Sequence, residues 1–267
     1  MSFNAAWLEL REPYDRRARS HAVIDAMAAA LADRPAVTIA DLACGTGSTF
    51  RALRPRIKAR QNWRLVDNDL SLLARAPQSS PPDVSVATIP VDLSRDLEAA
   101  LDGPVDLVTT SALLDLVSDE WLQRLVVETA ARRLPLYAAL SYDGRIEMTP
   151  GDPADTKIIA AFNAHQRTDK GFGPALGPGA AQAAIERFER VGHAVVQDTS
   201  DWIFAAQDAE IQIELLSGWA AAARETGDVP LSDTIGWLTR RRDLVAAGRS
   251  SIRVGHIDFF ARPTATR

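Results

Sequence analysis

The residues best able to do chemistry stand close together, in Ala40-Asp41-Leu42-Ala43-Cys44-Gly45-Thr46-Gly47-Ser48. An apolar run ends there in an acid and enters a turn with Gly45 and Gly47. Each glycine permits backbone geometry that a Cβ forbids, and lets a ligand approach the main chain closely. A second acid, Asp67, ends the next apolar run, Arg64-Leu65-Val66-Asp67. A carboxylate at that place accepts two hydrogen bonds from a ribose diol, or else caps the following helix, for which Asp69 is better placed. Two phosphate patterns compete for the glycines. A dinucleotide fingerprint wants a third glycine three places after the second, where Phe50 stands, so a nicotinamide-dependent oxidoreductase is disfavoured. A phosphate loop wants a lysine after its glycine, and Gly47 is followed by Ser48 and Thr49.

The elements that must position these groups alternate. Apolar spacing predicts helix through Trp7, Leu8 and Leu10 and again through Val23, Ile24, Met27 and Leu31, ended by Pro35. Strands are predicted at 37–42, 62–66, 84–89, 105–110 and 136–141, with helices at 49–57, 71–76, 93–101 and 121–134 between them. This rhythm predicts an α/β fold, a doubly wound and mostly parallel sheet with helices on both faces. Ligands bind outside the carboxyl ends of such strands, where the glycine turn falls. After residue 141 the rhythm breaks. Helix is predicted at 156–166, 180–191, 209–225 and 235–246, strand at 194–196, and a final antiparallel strand at 252–261. The expected segments are an N-terminal helical cap (1–34), a cofactor-binding half (35–141), a lid insertion (142–180), a helix and strand of the sheet (181–205), a helical insertion (206–250) and a last strand with its tail (251–267).

Strand–Asp-Leu-Ala-Cys-Gly-Thr-Gly–helix, followed by strand–Val-Asp, resembles the class I S-adenosylmethionine-dependent methyltransferases. The resemblance covers most of 37–141 and extends weakly to the last strand. It implies a seven-stranded Rossmann-like sheet with its last strand antiparallel, and S-adenosyl-L-methionine as cofactor. By position, Gly45 and Gly47 would line the methionine part and Asp67 would hold the ribose. Asp92, after the third strand, would bind the adenine amino group, with Leu93 offering a backbone donor beside it. Ser111 would lie under the methionine moiety, and Asp41, Ala43 and Asn68 complete the implied cofactor set. The family often has a Pro-Gly-Gly turn before its fifth strand, where Arg133-Leu134-Pro135-Leu136 stands here. It also commonly joins its last two strands by a short hairpin, where 206–250 intervenes here. In the family's topology both insertions emerge at the cofactor edge, so both are expected to cover one pocket and enclose a small-molecule acceptor. A homodimer interface is the other use of the same surfaces.

Catalytic candidates are Asp115, Tyr142 and His165. Asp115 would take the acceptor's proton or cap the helix beginning at 118–121. Tyr142 would orient the acceptor at the end of the fifth strand, although Asp143-Gly144 is also plain turn chemistry. His165 titrates near neutral pH and would serve as base, or is an ordinary surface histidine. Lys170 lies in Lys-Gly-Phe-Gly-Pro-Ala-Leu-Gly-Pro-Gly, either a hinged lid or a rigid connector. Near the N-terminus, Tyr14, Arg17 and His21 share helical spacing, and Arg16 and Arg19 a neighbouring face. An arginine there would clamp the cofactor's carboxylate, unless the face is simply solvated.

Composition narrows the classes. A net charge of −5 over 267 residues lacks the footprint of a nucleic-acid binder. One cysteine excludes an intramolecular disulfide and a Cys-rich zinc cluster, and no His/Asp/Glu spacing suggests a metal. The charged N-terminus and the absence of a long apolar stretch lead to the expectation of a cytoplasmic protein without membrane association. The rival to an enzyme is a cofactor-binding protein that contacts a partner through its lids without turnover.

Overall fold

The computed structural model describes residues 4–77 and 81–264; the expected segments 1–34 and 251–267 run past it at both ends. Two helices open the chain, α1 (Ala5–Ala18) and α2 (His21–Ala30), where Ser20 breaks the run and accepts the Val23 amide as cap. Then strands and helices alternate: β1 (Ala36–Leu42), α3 (Ser48–Leu53), β2 (Arg60–Asp67), α4 (Leu70–Leu73), β3 (Val84–Pro90), α5 (Leu97–Ala100), β4 (Leu107–Ser111) and α6 (Asp119–Ala131). Next come β5 (Leu136–Thr149), α7 (Asp155–His165), α8 (Ala180–Arg190), β6 (His193–Thr199), β7 (Trp202–Phe204), α9 (Ala209–Thr226), α10 (Leu231–Ala246) and β8 (Ser251–Pro263).

The sheet runs β3-β2-β1-β4-β5-β8-β6, with β7 added on β8. β1 to β5 pair in parallel and β8 is antiparallel to its neighbours, as expected. Alternation along β1 sends Val37 and Ile39 into the core beneath α2 and α3, and Ala40 and Leu42 into the core beneath α6 and α8. Strand order reverses between β1 and β4, which opens a crevice at their carboxyl ends.

Two features depart from the sequence reading. β5 does not stop at Ser141. It continues to Thr149 against β8, through bulges between Ala138 and Ser141 and between Tyr142 and Ile146. The Asp143-Gly144 turn signal is spent inside the second bulge rather than on a turn that ends the strand. The other is β7, a short strand the sequence reading lacks. The extended β5–β8 ribbon, with β7, carries a third core of Tyr142, Ile146, Trp202, Phe204, Trp219 and Trp237, covered by α7, α9 and α10. No helix among the described residues is long and apolar enough to cross a membrane.

Candidate functional site

A cavity of about 340 Å³ opens at the carboxyl ends of β1 to β4, within the size range of small-ligand pockets. Its floor is the turn after β1. The Gly47 amide donates to the Cys44 carbonyl (2.8 Å), and the Cys44 amide to the Val66 carbonyl (3.0 Å). Gly47 has φ +83°, and a Cβ there would stand 2.9 Å from Pro77 Cδ. Asp67 closes the arrangement. Its Oδ2 accepts the Gly45 amide at 2.8 Å and its Oδ1 the Asp69 amide at 2.9 Å. Each oxygen keeps a further lone pair for a ligand. Ala43 (φ +52°) and Ala112 (φ +51°) also adopt left-handed backbone, so strain collects at the strand ends that border the cavity.

Ala43, Gly45, Asp67, Asn68, Asp92, Leu93 and Ser111, all singled out in the sequence, line this cavity. Asp92 accepts from the Ser94 amide (3.0 Å) and hydroxyl (2.6 Å), and the Leu93 carbonyl accepts the Trp121 indole N–H (2.6 Å). Arg19 does not line the cavity. It is buried one layer below, donating from Nη2 to Ser111 Oγ (3.1 Å) and Thr49 Oγ1 (3.4 Å). Since both hydroxyl oxygens accept from the guanidinium, their own protons are available to the cavity they line. Gly47 shapes the turn without lining the cavity, and Asp41 is fully buried away from it. Thr109 donates to Asp41 Oδ1 at 2.7 Å, Oδ2 has no partner, and burial pushes this carboxyl up to about 7.

The three catalytic candidates stand outside the cavity lining. Asp115 sits in a 3-10 turn whose neighbours Leu113 and Leu116 do line it. Its own side chain is buried, takes the Tyr142 amide, leaves Oδ1 without a partner, and is raised by burial to about 6. Tyr142 lies in the third core because β5 continues past it; its hydroxyl donates to Asn163 Oδ1 (2.7 Å). His165 ends α7 and binds Glu225 Oε2 through Nε2 at 2.8 Å.

The insertions also divide. Lys170, Gly171 and Phe172 of the first form one wall, Phe172 edge-on to Trp121. The second does not cover the cavity, contrary to expectation: α9 and α10 spend their apolar faces on the third core. The opposite wall is α1, through Leu8, Arg11 and Asp15. Arg11 Nε bonds Asp15 Oδ2 (2.9 Å), Trp202 donates to Asp15 Oδ1 (3.0 Å), and the guanidinium lies over the Trp202 ring. Arg51 holds α1 down, with two 2.6 Å bonds to Glu12 and a third to the Thr46 carbonyl. The sequence reading missed Arg11 and Asp15, although their spacing from Leu8 makes one helical stripe. Among the described residues no group of three or more side chains is placed to hold a metal ion.

No family model and no curated protein matches the chain. Solved structures do. YcgJ of Bacillus subtilis aligns over 92% of this chain and 100% of its own, with a TM-score of 0.51 at 12% identity. The cyclopropane synthase MmaA2 of Mycobacterium tuberculosis aligns over 90% and 83%, at 0.48 and 12%. A SAM-dependent methyltransferase of Thiobacillus denitrificans, solved with S-adenosyl-L-homocysteine, aligns over 98% and 100%, at 0.43 and 11%. The likeness to YcgJ is one of fold, and the fold is Rossmann-like.

Proposed function

We propose that this chain is a class I S-adenosylmethionine-dependent methyltransferase acting on a small-molecule acceptor. One observation carries the reading: groups from the ends of four successive parallel strands line one cavity, in the order a nucleoside with an amino-acid tail requires. Asp67 takes the ribose diol with the lone pairs its backbone amides leave. Asp92 and Leu93 hold the adenine edge. Ser111 and Thr49, polarised from below by Arg19, hold the carboxylate of the tail. The fit is supported by the Gly45 turn, whose backbone borders the cavity, and by the two hydroxyls that Arg19 leaves free to donate.

When bound, S-adenosylmethionine supplies a methyl carbon already activated by its sulfonium. The protein's task is then to orient the acceptor and exclude water, and alignment alone is worth several kcal/mol. Leu8 and Leu116 give the cavity apolar walls, and Lys170 to Phe172 close it from the lid. No base is assigned, since Asp115 lies one residue behind the wall.

Calorimetry tests the reading. S-adenosylhomocysteine is expected to bind with micromolar affinity, and methyl transfer to an extract of small metabolites to release S-adenosylhomocysteine. No heat from folded protein would overturn the proposal. Heat without turnover would instead make the chain a cofactor-binding protein.

A further inference from the structure

The wall that α1 gives the cavity carries a guanidinium with one edge unpartnered. Arg11 is 8% exposed and Asp15, one turn on, 2%, and both line the cavity. Arg11 Nε donates to Asp15 Oδ2 at 2.9 Å, and the group's carbon lies 5.3 Å from the centre of the Trp202 ring. Nη1 and Nη2 have no hydrogen-bond partner among the described residues. Asp115, behind the wall, is raised by burial to about 6 with the Arg11 charge working against the rise, yet no hydrogen bond joins the two.

The group is held in place. The Trp202 indole donates to Asp15 Oδ1 at 3.0 Å, and Trp7 packs edge-on against the same ring with centroids 6.5 Å apart. Arg51 fastens Glu12, the next residue, to the glycine turn. An arginine fixed at its face and at its Nε edge offers the remaining N–H groups as a planar fork, the shape of two carboxylate oxygens. The ion pair with Asp15 orients that fork without using it.

Position separates the fork from the groups assigned to the cofactor. Those groups stand at the ends of β1 to β4 or directly after them, with Asp92 at the β3 end of the sheet. Arg11 leans the other way, on Trp202 of β7, which is carried by β8 beyond β4 and β5. A ligand that fills this end must bring oxygen acceptors, or it seals charged donors from water unmet. An aliphatic or cationic group there is selected against, and a carboxylate is selected for. Because Asp15 already balances one charge, the gain is that of a charge-assisted hydrogen bond and not of an unpaired ion.

We infer that the Nη1–Nη2 edge of Arg11 recognises a carboxylate on the methyl acceptor, and that the acceptor is a small carboxylic acid. The inference rests on the methyltransferase reading for the word acceptor, but the recognition itself is a property of the cavity. Asp15 and Trp202 are positioning residues that aim the guanidinium.

The test uses the full chain with benzoate, phenylacetate and hexanoate, each beside its primary amide, which puts a donor where the fork needs a second acceptor. Binding is read by saturation-transfer NMR, with and without saturating S-adenosylhomocysteine. At least one acid is expected to bind about tenfold or more tightly than its amide, the factor a charge-assisted hydrogen bond supplies. Arg11→Lys keeps the charge beside Asp15 but not the fork, and should lose most of that preference. Arg11→Gln combined with Asp15→Asn removes both charges together, and the new amide at 15 still accepts the Trp202 indole. In this double variant the preference should vanish, while affinity for S-adenosylhomocysteine stays within about twofold, since the groups assigned to the cofactor share no partner with Arg11. Arg11→Lys decides the matter alone if the double variant does not fold. No acid binding, acids and amides binding alike, or either variant keeping the full preference would each overturn the inference. So would a loss of S-adenosylhomocysteine affinity as large as the loss for the acid, which would give Arg11 to the cofactor's tail. If S-adenosylhomocysteine does not bind the unaltered protein, the methyltransferase reading fails, and the acid–amide comparison without it still decides what Arg11 recognises.

Discussion

Asp67 does two jobs with one carboxylate. Its oxygens order the glycine turn and the start of α4 through the Gly45 and Asp69 amides, and on the proposed function they also receive the ribose. Asp67→Ala should therefore weaken S-adenosylhomocysteine by roughly 1.5–3 kcal/mol and also lower folding stability by about 1 kcal/mol, because two partly buried amides lose their acceptor. Calorimetry and urea unfolding check the two halves, and an unchanged stability would show that water replaces the carboxylate. Asp41 makes a different prediction. Its folded pKa of about 7 lies well above the ordinary carboxylate value, so the native state keeps a proton that the unfolded chain releases. Its contribution to stability is present below about pH 4 and is lost as pH rises to about 7, by up to about 1.4 kcal/mol per unit. Asp41→Asn lacks that slope. Urea midpoints of the two proteins from pH 4 to 8 should diverge through the window; parallel curves would remove Asp41 from the account. Gly45, Asp67, Asp92, Leu93 and Ser111 were legible as cavity residues because each ends a parallel strand or lies in the turn directly after one, where a local pattern also fixes position in the sheet. Arg11 and Asp15 were not, since nothing in a helical stripe tells which cavity it will meet.

Among the elements, the turn after β1 and the helix above it act together. Arg51 reads the Thr46 carbonyl and both Glu12 oxygens, so α1 is fastened to the same turn that Asp67 orders. Gly47→Ala should strain this turn twice, through its left-handed backbone at about 1–2 kcal/mol and through contact with Pro77. The expected result is a lower melting temperature with weaker S-adenosylhomocysteine binding; unchanged values for both would show that the turn relaxes without loss. The parallel half of the sheet was readable because its central strands β1 and β4 are buried on both faces and helices separate the strands, whereas β3 at the edge is only partly buried. β5 was misread for a physical reason. Asp143-Gly144 has the chemistry of a turn, yet Gly144 at φ +91° serves a bulge, and Arg145 pairs with Asp143 and Asp201 while the strand carries on. Tyr142, expected at the active edge, is paired with His256 and belongs to the neighbouring core as a result.

At the scale of the whole molecule, the third core is joined to the first two by continuous strands. α7 and α10 are pinned by Arg241, which reaches Asp155 and the Pro150 carbonyl (2.7 Å), with Trp237 donating to Asp155 at 2.8 Å. Arg241→Met strands a largely buried acid, and breaking such pairs costs roughly 3–5 kcal/mol. Because β5 and β8 pass through every core, the loss should appear as one cooperative transition at a lower temperature. Two separate transitions by calorimetry would show that α7, α9 and α10 fold on their own. Composition and rhythm marked where regular alternation stops, at residue 141, but not that the same strand crosses that point. The continuity of β5 bears on how such a protein can be rebuilt. Grafting the helical annex onto a relative as a cassette cut at 141 would sever a ribbon that both halves share, so any working chimera has to carry both long strands with it.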